Sequence, residues 1–168
     1  MKILFLTFFL CLTCQAQLTI GKNLPSNNSV SLEFGDNENL GLILPYVTNK
    51  DNITESGSLI YDVLDKKVKI LDKNKNWIDY SIDNDGKVNL SSQQNFQSSA
   101  NAGIKIGNKT DNSDGILVLT DSDKAMILPK VEDPHLKIVN PSAGMIVYDN
   151  KNKMLAIFNG NVWSFFKP

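Results

Sequence analysis

His135 is the sole histidine of the chain. A catalytic triad or a histidine metal site would have to be assembled on it, with Ser142 as nucleophile or with Glu132 and Asp133 as carboxylate partners. That chemistry needs nucleophile, base and orienter together, and no serine lies in a G-x-S-x-G run. The residues around His135 read instead as loop residues between prolines. Asp83-Asn84-Asp85-Gly86 and Asp111-Asn112-Ser113-Asp114-Gly115 set oxygen ligands ahead of a glycine, as calcium loops do. With Ser81 as the first loop position, however, Ser92 stands where a bidentate glutamate is required, and turns demand the same residue types. The sequence therefore predicts a non-enzyme with no catalytic residue, no metal and no cofactor.

Trp77 and Trp163 offer a different chemistry. An exposed indole stacks on the apolar face of a sugar, so these two, with Tyr61 and Tyr148, are the candidate residues of an alternative reading as a glycan-binding module. The primary reading makes all four packing residues, because each tryptophan closes a strand pattern at the same place in a repeat.

Charge excludes further classes. The 17 cations, all lysines, stand against 18 carboxylates, for a net charge of −1. Without arginine the chain lacks the planar fork that grips phosphate and has no basic stripe for nucleic acid. Lysines set among aspartates, as in Asp65-Lys66-Lys67 and Asp72-Lys73, predict a solvated surface. Residues 1–16 carry Lys2, an apolar run from Ile3 to Leu12 and a small residue at Ala16, the layout of a signal peptide. The run is shorter than the roughly 20 residues of a membrane span, so export with cleavage after Ala16 is expected, placing the protein outside the cell or on the surface of a Gram-negative bacterium. The periplasm and a lipid anchor at Cys14 are the lesser alternatives, since Cys11-Leu12-Thr13 fits a lipobox poorly. Cys11 and Cys14 would leave with the leader, and the mature chain would hold neither thiols nor a transmembrane segment.

The elements that must position all this occur twice. Leu40-Gly41-Leu42-Ile43-Leu44-Pro45 and Lys124-Ala125-Met126-Ile127-Leu128-Pro129 each open a segment that continues through a glycine (Gly57, Gly144) and a Tyr-Asp pair (Tyr61-Asp62, Tyr148-Asp149) to a tryptophan. Short runs of β-branched and aromatic residues between Asn, Asp, Gly and Ser predict strands: Val30–Phe34, Gly41–Leu44, Ser58–Asp62, Lys67–Leu71 and Trp77–Ile82, then Gly115–Thr120, Ala125–Leu128, Gly144–Tyr148, Met154–Phe158 and Val162–Phe166. Asn159-Gly160 marks a tight hairpin. The corresponding Asp72 to Asn76, without glycine, predicts a looser one. One helical turn or an ordered loop is expected near Pro134. The fold class is thus all-β, two tandem antiparallel meander units with little helix: a first repeat over 17–88, a polar linker over 89–103 and a second repeat over 104–168. Thr19-Ile20-Gly21-Lys22-Asn23 and Ile104-Lys105-Ile106-Gly107-Asn108 suggest that each copy begins with an Ile-Gly strand.

Ala125-Met126-Ile127-Leu128-Pro129, Gly144-Met145-Ile146-Val147-Tyr148-Asp149 and Ile157-Phe158-Asn159-Gly160-Asn161-Val162-Trp163 resemble a repeat of exported Bacteroidota proteins that look like phage tail-fibre or surface-fibre modules. Its form is "LLPR", then "GxxVYN", then "YYNGxxW". The first copy is more diverged, with Tyr46 in place of the basic residue after proline. The resemblance implies a structural or adhesive surface module acting through protein–protein contacts or self-association. The expected partner is a further copy of the chain, as a homo-oligomer and specifically a trimer, with other surface proteins or glycans as further partners.

Overall fold

The computed structural model describes residues 17–36, 38–82, 85–91, 93, 102–107 and 112–167. The expected leader with Cys11 and Cys14, most of the expected linker, and Asp83-Asn84 and Asp111 of the two acidic loops lie outside them.

The described chain is almost wholly β. In the first copy the strands are β1 (Leu18–Ile20), β2 (Val30–Phe34), β3 (Leu42–Ile43), β4 (Tyr46–Val47), β5 (Leu59–Asp62), β6 (Lys67–Leu71) and β7 (Trp77–Asp79). The second copy has β8 (Ile104–Ile106), β9 (Leu117–Leu119), β10 (Ala125–Ile127), β11 (Lys130–Val131), a single turn of helix α1 (Pro134–Lys137), β12 (Met145–Asp149), β13 (Met154–Phe158) and β14 (Trp163–Phe166). Pro134 opens α1, where its missing N–H costs nothing. No helix among the described residues is long and apolar enough to cross a membrane.

Each copy ends in an antiparallel meander, β5–β6–β7 and β12–β13–β14, preceded by a short parallel strand, β4 or β11. Registers agree residue for residue. Tyr61 and Tyr148 lie beside Tyr46 and Lys130, while Leu71 and Phe158 lie opposite Trp77 and Trp163. The turns are built alike. Asp62 Oδ1 accepts the N–H groups of Leu64 and Asp65, and Asp149 Oδ1 those of Lys151 and Asn152, before Lys66 and Lys153 reverse the chain at positive φ. Short acceptor side chains stabilise such turns by taking up N–H groups that no strand satisfies.

The hairpin before Trp77 differs from expectation. It is tied as firmly as its counterpart, because Asp72 Oδ1 accepts from Asn74 and Asn76 where Asn159 Oδ1 accepts from Asn161 and Val162. Lys75 supplies the positive φ that Gly160 supplies in the second copy.

Parallel pairing, which the alternation of residues does not reveal, organises the N-terminal part of each copy. β1 lies along β2 and β8 along β9, with Gly21 and Gly107 at positive φ just after the first strand of each pair. The copies also exchange strands. β10 runs parallel to β2, and β3 runs antiparallel to β12. One apolar core is accordingly shared, joining Leu44, Tyr61 and Val68 to Ala143, Ile146 and Ile157. A second core belongs to the C-terminal copy, where Val131, Met145, Val147 and Phe158 are covered by Trp163 and Phe165.

Candidate interaction surface

Tyr61 is buried completely and meets Tyr46 edge-on at 5.6 Å. Its hydroxyl donates to the Asn159 carbonyl, 2.8 Å away in the other copy. Burial, with the neighbouring Tyr46 and Asp62, pushes this phenol up to about 12. Gly86 passes against the hydroxyl and Gly160 against the Lys87 carbonyl, so close that a Cβ at either glycine would collide with them. Tyr148, at the equivalent place, is only half-buried. Trp77 and Trp163 are half-buried on β7 and β14. Trp163 lies 5.2 Å from Phe158 and 6.5 Å from Phe165, and His135 meets Phe165 edge-on at 5.6 Å. Among the described residues no ring contact joins any two of Tyr61, Tyr148, Trp77 and Trp163.

His135 projects from α1 as an exposed residue, and its neighbours on either side are engaged elsewhere. Glu132 pairs with Lys137 at 2.9 Å, and Asp133 binds Lys151 and Asn152. These partners hold the Asp133 carboxyl below the ordinary range, Lys151 contributing most. At Asp149 burial pushes the carboxyl up, but hydrogen bonds from Asn152, Asp133 and Lys151 outweigh it and hold the group low. Among the described residues no group of three or more His, Cys, Asp and Glu side chains is arranged to hold a metal ion.

Lysines expected in solvent are in part structural. Lys69 is buried between Asp65 at 2.8 Å and Asp79 at 2.7 Å, and Lys67 reaches Asp79 at 2.7 Å. One fully enclosed charge is one that sequence reasoning missed. Glu33, fully buried on the central strand β2, is held by Lys22 at 2.8 Å, by the Ser26 N–H at 2.7 Å and by the Ser26 hydroxyl. Burial raises its carboxyl, but Lys22 and Ser26 prevail and lower it to about 2. Its alternation with Val30, Leu32 and Phe34 signals an outward face. The Lys22–Ser26 segment folds over that face, and β10 flanks it with Ile127 beside Glu33.

Several aliphatic side chains remain uncovered on the short strands of the N-terminal part of each copy. Leu18 and Ile20 on β1, Ile43 on β3, and Ile104, Ile116 and Leu117 around β8 and β9 are exposed. Exposed aliphatic side chains on strands are candidates for an interaction surface, and unpaired strand edges are ready templates for another chain.

Residues 105–167, which run from β8 through β14, match the family model of the phage tail like trimerisation region. No curated protein and no solved structure matches the chain. The second copy is thus similar to a tail-fibre-type module, and the strand registers extend the same plan to the first copy.

Proposed function

We propose that the protein is an exported, non-enzymatic structural component of a surface or tail-type fibre that works by associating with itself as a trimer. The observation that carries this reading is the match of residues 105–167 to a trimerisation region, falling on a unit whose aliphatic residues Ile104, Ile116 and Leu117 face solvent. Burying such faces supplies about 25 cal/mol for each Å² removed from water, and closed symmetric assembly also removes exposed edges. In this reading Trp77, Trp163 and Tyr148 are packing residues, and the adhesive role belongs to polar loops displayed by the assembly. The leader pattern of residues 1–16 supports export.

Light scattering coupled to size exclusion, on the full chain under reducing conditions, tests the central claim. The expected result is a mass of three chains at micromolar concentration. A monomer across that range would refute it.

A further inference from the structure

Strands β3 and β10 hold the same place in the two copies, and each is lent to the other copy. β10 pairs with β2, with Met126 beside Leu32 and Ile127 beside Glu33; β3 pairs with β12, with Ile43 opposite Met145 and Leu42 opposite Ile146. Each copy therefore has one strand to lend and two places to receive one: the free side of its parallel pair and the leading half of its meander. Among the described residues, one receiving place of each kind is filled. β2 receives β10, but its counterpart β9 pairs with β8 alone among the described residues. β12 receives β3, but among the described residues the counterpart Ser58–Leu59 edge of the first copy faces no strand on the side where β4 covers Tyr61 and Asp62.

Burial shows the difference. Leu32, under β10, is 1% exposed, whereas Leu117, its equivalent on β9, is 40% exposed. Ile146, beside β3, is fully buried, whereas its equivalent Leu59 is only half-buried. The lent strands have spare sides too, since β3 pairs only with β12 and β10 only with β2 among the described residues.

We infer that two chains join head to tail by repeating the contact made inside each chain. β10 of one chain adds antiparallel to Ser58–Leu59 of the next, while β3 of that next chain adds parallel to β9 of the first. The inference rests on the self-association reading and names the surfaces that perform it. Side-chain size supports the pairing. Within the chain Gly41 lies so close to Met145 and Val147 that a Cβ there would collide with them. At the intermolecular joint Ala125 brings that Cβ, Ser58 replaces the long Met145 and Ile60 stands for Val147, so the bulk added on one strand is met by the space opened at Ser58. The contact is heterologous, using different surfaces of the two chains, and therefore closes into a ring or propagates according to its rotation.

Transferring the register of Ile43 and Met145 sets Ile127 opposite Ser58. Leu44 donates to the Gly144 carbonyl in the adjacent pair, so this is a non-hydrogen-bonded pair, with Cα atoms about 4.5 Å apart, close enough for a disulfide. Full-length chains carrying Cys11→Ser and Cys14→Ser together with either Ser58→Cys or Ile127→Cys are co-expressed and oxidised. The expected product is a disulfide-linked pair of unlike chains, absent when Leu24→Cys replaces Ile127→Cys. Leu117→Asp, on the open face of β9, is expected to weaken association at least tenfold without moving the unfolding midpoint of the dissociated chain. Oligomers by light scattering without the 58–127 link would overturn the head-to-tail joint while self-association stands. Monomers at every micromolar concentration, with no link, would overturn both.

Discussion

Acid should unlock the N-terminal layer through Glu33. Its carboxyl sits at about 2 in the folded chain against an ordinary 4.5, so the unfolded state binds the proton first as pH falls. The resulting stabilisation is complete above about pH 5, declines as pH drops through the interval from 4.5 to about 2, and is absent below it. At about 1.4 kcal/mol for each pH unit of separation, the full effect is about 3 kcal/mol. Lys22, the main partner, retains 18% of its side-chain exposure, and solvent screening of that pair brings the expectation to about 2 kcal/mol. Other carboxylates held low, among them Asp65, Asp79 and Asp133, also contribute to acid sensitivity, so the assay must isolate this one. Urea unfolding of the wild type and of Glu33→Gln, followed from pH 7 to pH 2, does so. The variant should be less stable at pH 7 by about 2 kcal/mol, and the two curves should converge as pH approaches 2. Parallel curves would refute the assignment of Glu33 as a buried, ion-paired anchor.

The shared core and the turns give sharper local tests. Tyr61→Phe removes the buried bond to Asn159 and should cost about 1–2 kcal/mol, whereas Tyr148→Phe, at a half-buried site, should fall within about 0.5 kcal/mol of wild type by chemical denaturation. Equal effects at the two tyrosines would mean that the contact between copies is not selective. Lys66 and Lys153 both adopt positive φ, so Lys153→Gly should stabilise by roughly 0.5–1 kcal/mol as relief of left-handed strain exceeds the added chain entropy. A lower melting temperature would contradict it.

Much of the chain could be read from its residues. Val30–Phe34, Lys67–Leu71 and Met154–Phe158 lie where their apolar and β-branched runs put them, because flanking Asp, Asn and Gly can only turn. The single turn of α1 follows from Pro134 ahead of Pro141. Strand partnership was not legible. Leu42–Ile43 and Ala125–Ile127 look the same in sequence, yet one pairs antiparallel with β12 and the other parallel with β2. Such pairing depends on where the other copy sits, and nothing within a short strand encodes that. Glu33 is hidden too, since its alternation predicts an outward side chain and only the folded course of the Lys22–Ser26 loop closes over it. The aromatic candidates divide for a related reason. Tyr61 and Tyr148 share one motif, but Tyr61 is fully buried with its hydroxyl bonded to Asn159 of the opposite copy, whereas Tyr148 is half-buried.

The loan of β10 to β2 also sets a timetable for synthesis. A ribosome that has released residues 17–88 has delivered every strand of the first copy but not β10, residues 125–127, which flanks β2 beside Leu32 and Glu33. Because long-range pairing must wait for both partners and carries a loop-closure cost, the early half emerges with an incomplete interior. It completes its packing only after nearly the whole polypeptide has been made, so the two halves should acquire protection from proteases together rather than in order of translation.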